Sequence, residues 1–129
     1  MIQNTSQHKL IIHGRLPNLN EYINAERTNR YIAANIKKKT EEHITSEIIS
    51  QLNGLHITNM VNMVYTWIEP NKKRDKDNIA FAKKFIQDAL VKNGVLNNDG
   101  WKEIDGFSDL FKVDPDNVGV IVDLVEVGK

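Results

Sequence analysis

The chain has 129 residues, 40% of them hydrophobic, with three prolines and no cysteine; this fits one globular domain with a proper core and excludes a disordered chain, disulfides and thiolate metal sites. Seventeen basic and seventeen acidic residues cancel, so no global field draws in nucleic acid. No run approaches the roughly 18 apolar residues of a membrane span, and the first ten residues lack the basic flank and apolar stretch of a leader peptide, so a cytoplasmic protein with no membrane partner is expected.

Residues 8–16, HKLIIHGRL, alternate and are rich in Ile and Leu, which predicts a first strand, broken at Pro17 and Asn18. A short helical turn is expected from Leu19 to about Arg27. A longer helix is expected from near Tyr31, with Ile32, Ile36, Ile44, Ile48 and Leu52 as its apolar positions and Asn53-Gly54 as its stop. Residues 59–70, NMVNMVYTWIEP, are largely apolar on both alternating sides, the pattern of an interior strand ending at Pro70. A basic segment, 71–76, leads into a helix from Asn78 to Lys92, stopped by Asn93-Gly94. The stretches EIDGFSDLFKV and VGVIVDLVEV read as two closing strands. With no repeat or linker, residues 1–129 form a single domain. The order β-α-α-β-α-β-β predicts an α/β (α+β) fold, a mixed sheet with helices on at least one face.

The stretch NKKRDKDNIAFAKKF, 71–85, places Asp75 and Asp77 among Lys72, Lys73, Arg74 and Lys76. Residues 71–92 hold seven basic side chains against three acidic ones, and residues 100–129 reverse this, with three against seven. A neutral chain can therefore offer a polyanion one basic face, although solvated surface explains a charge cluster equally well. On the helix, at about 100° per residue, Ile79, Ala82, Phe85, Ile86, Ala89 and Leu90 fall in one arc, and Asp77, Lys84 and Asp88 share another face. Asp77 stands where an N-cap would be, and Asp is among the best residues there. The alternative is chemical: one carboxylate past a strand end and another at a helix start can converge on a hard cation such as Mg²⁺. The four histidines have no ligand-like spacing. DKDNIAFAKKFI begins like a calcium loop but has Ala80 and Ile86 where that loop needs Gly and Glu. Asp99, beside Asn97, Asn98 and Gly100, reads on spacing alone as turn chemistry.

The run R-D-K-D-N-I at 74–79, followed by FIQDALVKNGVLNND at 85–99, resembles the RusA family of Holliday-junction resolvases of bacteria and phages. LPNLNEYINAER, 16–27, is similar to that family's Pro- and Asn-containing segment. The likeness is close over 74–99 and loose over 10–127. It implies three catalytic, Mg²⁺-holding carboxylates at Asp75, Asp77 and Asp99, the last five positions after Gly94. It implies a catalytic lysine four residues before Asp88, at Lys84, with Lys83 as its rival. The chain departs from the pattern by about three extra residues between D-N and D-A-L. The resemblance also implies a homodimer, whose two sites suit the matched cuts of a four-way junction.

Those residue types suit phosphodiester hydrolysis. A metal held by carboxylates acidifies water, and a lysine meets charge that grows in the transition state. Lys72, Lys73, Arg74 and Lys76 would hold flanking phosphates, and Asn78 would orient a carboxylate. The expected function is thus a Mg²⁺-dependent, structure-selective endodeoxyribonuclease (a phosphodiester hydrolase) resolving Holliday junctions in DNA recombination and repair. The alternatives are a branched-DNA-binding protein that does not cut, and an interaction module in which 71–76 is only a solvated turn.

Overall fold

A computed structural model describes residues 6–127. Its elements are β1 (Gln7–His13), α1 (Leu19–Thr28), α2 (Arg30–Gln51), β2 (Val61–Glu69), α3 (Lys76–Ala80), α4 (Lys83–Lys92), β3 (Ile104–Val113) and β4 (Gly119–Glu126). The four strands form one mixed sheet in the order β1-β4-β2-β3, in which only the β2–β3 pair is parallel. The fold is thus the expected α+β arrangement, with the third helix divided in two. Among the described residues no helix is long and apolar enough to cross a membrane.

Strand β2 is interior, laddered to β4 on one side and β3 on the other, as its two apolar sides imply. Its residues Val61, Met63, Tyr65 and Trp67 join Leu10, Ile12, Val120, Val122 and Leu124 to cover one sheet face. The helices press Ile44, Ile48, Phe85, Ile86, Ala89 and Leu90 onto that face. Alternation leaves the opposite face to Asn62, Val64 and Thr66, none of them buried.

Helix α2 corrects one detail of the periodic pattern. Ile44 and Ile48 are buried as expected, but Ile32 is exposed and Ala33, Thr40 and Glu41 are buried instead. Helix α2 packs against α1 and α4 as well as β1, and near its start the small Ala33 is the buried residue. The helix expected over 78–92 is likewise broken at Phe81 and Ala82. Three-residue hydrogen bonds, Ala82 to Ile79, Lys84 to Phe81 and Phe85 to Ala82, tighten the chain there. Tyr22 of α1 packs over this break, its ring 5.8 Å from Phe81 and 5.6 Å from Phe85. Each residue wound at three per turn advances about 20° beyond the α-helical step, so Asp77 and Lys84 lose the common face that uniform winding gives them.

Candidate functional site

The segment between β2 and α4 builds the cavity that holds the aspartate pair. Strand β2 ends at Glu69, Pro70 turns the chain, and Asp75 and Asp77 enter a cavity of about 660 Å³. Lys72, Lys76 and Lys112 line it with Phe111 and Val113 of β3. The N-cap of α3 is Asp75, not Asp77, and its carboxylate makes no capping bond. Asp77 lies in the first turn and accepts the Asn78 amide at 3.0 Å. Both aspartates are exposed, and among the described residues neither forms an ion pair. Capping therefore does not account for Asp75. A five-residue helix has little macrodipole, so charge at this site comes from side chains.

The basic residues divide into two groups. Lys72, Lys73 and Lys76 are exposed, Lys76 standing 5.6 Å over the Phe111 ring. Arg74 is only 16% exposed and is engaged within the protein. It donates to the Leu16 carbonyl at 3.0 Å and to Glu21 Oε1 at 2.7 Å. Glu21 also completes the Asn18 capping box of α1, so Arg74 ties the segment after β1 to the aspartate loop. Asn78 is half-buried beside Asp77.

The two lysines also differ. Lys84 is 71% exposed, with only a 3.9 Å approach to Asp88. Lys83 is 15% exposed, bonds Asp109 at 2.6 Å and lies 3.9 Å over the Phe107 ring. Asp109 also accepts the Trp67 indole N–H at 2.8 Å, and Gln87 donates to the Tyr65 hydroxyl at 3.0 Å. Burial pushes the Tyr65 phenol above its ordinary range, helped by the charges of Asp109 and Asp99 and opposed by the Gln87 bond. This cluster had no sequence signal, because its members stand up to 44 positions apart, from Tyr65 to Asp109. Two cavity residues were also missed. Glu69 is buried and held by Arg15 at 2.7 Å, and Lys112 enters from β3. The one hint of Glu69 was an acid at the end of an otherwise uncharged strand.

Within one chain Asp99 lies apart from the pair. It is exposed on the turn before β3 and lines a separate cavity of about 240 Å³ with Lys37, Glu41, Asp88 and Lys92. The parallel register runs from Val61 opposite Ile104 to Glu69 opposite Val113. Asp99 therefore precedes the start of this strand pair, and Asp75 and Asp77 follow its end. At about 3.3 Å per residue the separation is on the order of 20 Å. Among the described residues no three His, Asp or Glu side chains of one chain are grouped to hold a metal ion.

No protein-family model matches the chain, and no curated protein matches it.

Proposed function

We propose that this chain is a Mg²⁺-dependent endonuclease of branched DNA, resolving four-way junctions in recombination and repair as a cytoplasmic homodimer, as its resemblance to the RusA family implies. The observation that carries the reading is the pair itself: two exposed carboxylates, without salt bridges among the described residues, in one cavity rimmed by lysines. Among the described residues folding makes no visible use of the Asp75 carboxylate, and its negative charge would hinder a loop that only bound phosphate.

The donor set fits a hard cation. Asp75 and Asp77 offer carboxylate oxygens in an open cavity, and Mg²⁺ keeps several waters beside one or two such ligands. When bound, the ion supplies neutralisation of phosphate oxygens and a more acidic water. The protein's own part is positional. Lys72, Lys76 and Lys112 hold the scissile region against the pair, contacts that position DNA without reading its sequence. Lys84 has the freedom to approach a phosphate, whereas Lys83 already serves Asp109. Asp99 completes the carboxylate set from the partner subunit. A two-fold dimer then carries two identical sites, one for each of two opposed strands.

Asp75→Asn tests the reading. Cleavage of a synthetic four-way junction in Mg²⁺ is expected to fall by at least 10²-fold, with junction affinity kept within about threefold. Undiminished cleavage by this variant, or wild-type cleavage in EDTA, contradicts it. One observation favours the second reading, a junction binder without nuclease activity: among the described residues a single chain does not gather three carboxylates. That protein would bind junctions with a steep salt dependence and cut none.

A further inference from the structure

The cavity of Asp75 and Asp77 has a third carboxylate, one that the run R-D-K-D-N-I does not contain. Glu69, the last residue of β2, lines it with a side chain only 9% exposed. Its place is fixed twice. The backbone carbonyl accepts the Asp114 amide at 2.9 Å, and the carboxylate is held by Arg15, from the segment after β1. Glu69 and Ile79 of α3 together line this cavity and a smaller one beside Arg15, so Glu69 lies close to the helix whose N-cap is Asp75.

The carboxylate is only half used. Arg15 Nε and Nη2, at 3.1 and 2.7 Å, both donate to Oε1. A guanidinium and a carboxylate that serve only each other commonly form two parallel bonds, one to each oxygen. Among the described residues Oε2 accepts from no group. Lys72, Lys76 and Lys112 line the same cavity, yet among the described residues none pairs with Glu69, Asp75 or Asp77. A nearly buried carboxylate oxygen without a donor is costly. Beside two further unpaired carboxylates, the donor that suits it is water on a hydrated cation, since Mg²⁺ keeps several of its waters.

We infer that Glu69 is a positioning residue of the proposed metal site, its Oε2 accepting a hydrogen bond from water on the divalent cation that Asp75 and Asp77 hold. The role rests on the metal reading above and adds an acid from the strand end to the two at the helix start. No three acidic side chains among the described residues are grouped to hold one ion, so Glu69 is not a direct ligand. A water-mediated contact spans the gap, because the oxygen needs to reach only the cation's hydration shell. Arg15 fixes the carboxylate through Oε1 and leaves Oε2 for the water. The competing account is an ion pair that only ties the exit of β1 to the end of β2.

Mn²⁺ binding by the full chain without DNA, followed by electron paramagnetic resonance in 0.5 M KCl, separates the two. Salt at that level cuts the screening length to about 4 Å and suppresses long-range charge effects. Wild type should bind Mn²⁺, and Asp75→Asn should lose it. In Glu69→Gln the amide oxygen stays with Arg15, which puts a donor where the water needs an acceptor. Its affinity should fall about 10–100-fold. Arg15→Gln breaks the same pair but leaves the carboxylate, and should bind within about threefold of wild type. Glu69→Asp keeps the charge and withdraws both oxygens by one methylene; it should weaken with Glu69→Gln, and replaces it if circular dichroism shows that variant unfolded. Wild-type affinity in Glu69→Gln overturns the role and leaves the nuclease reading standing. Equal losses in Glu69→Gln and Arg15→Gln also overturn it, reducing the pair to a structural tie. A wild type without Asp75-dependent Mn²⁺ binding sinks the metal reading itself, and this role with it.

Discussion

Arg74 and Asp75 are neighbours in sequence with opposite engagements. The arginine is held by Leu16 and Glu21, and the aspartate's carboxylate has no hydrogen-bond or ion-pair partner among the described residues. Arg74→Ala removes one donor from Glu21, which keeps the Asn18 amide, and the donor of the Leu16 carbonyl; a hydrogen bond to a charged group is worth about 1.5–3 kcal/mol. A loss of that size in urea unfolding is expected. Lys72→Ala should leave stability within about 0.5 kcal/mol and lower the salt slope of junction binding by about one. The reverse pattern would contradict this division of labour. The pattern of Asp75 and Asp77 is local, two acids among lysines between a strand and a helix, and the fold sets both in one cavity. The engagement of Arg74 was not legible in the sequence, since its partners lie 53 and 58 positions away. Glu69 and Lys112 reach the cavity only through strand register, which single-residue chemistry does not encode.

The elements were legible where burial alone decides them. An apolar pattern on both sides marked β2 as interior, and Asn-Gly pairs marked the ends of α2 and α4. The break between α3 and α4 lies under Tyr22 of another helix, a long-range contact that periodicity does not carry. That break shifts the phase of α4 against α3, so uniform winding misplaces Lys84 relative to Asp77. Pairing of β1 with β4 carries its own pH dependence. His8 and then Asn59, bonded to Glu126 at 2.7 and 2.8 Å, hold its carboxyl below the ordinary value of 4.5. A depressed carboxyl stabilises the fold above its unfolded pKa and loses that contribution as pH falls through the folded one. Glu126→Gln should therefore melt below wild type at pH 6, with the gap closing near pH 3. A gap that is constant with pH would mean that the carboxylate charge plays no part.

At the scale of the whole molecule, the mixed sheet and the single order of elements followed from alternation and turn residues. The arrangement of the third aspartate did not. The order of strands in the sheet decides which ends meet, and the parallel β2–β3 pair sends Asp99 and the Asp75–Asp77 pair to opposite ends. In the proposed homodimer, Asp99 of the partner subunit would complete the site. Co-assembled dimers of one Asp75→Asn chain and one Asp99→Asn chain, isolated by two different tags, measure this most directly. Each variant alone is expected to be inactive. The mixed dimer contains one site with all three carboxylates, so it should nick one strand of a four-way junction and bind Mn²⁺ at one site. A mixed dimer as inactive as its parents, beside an active wild type, would contradict a site shared between subunits.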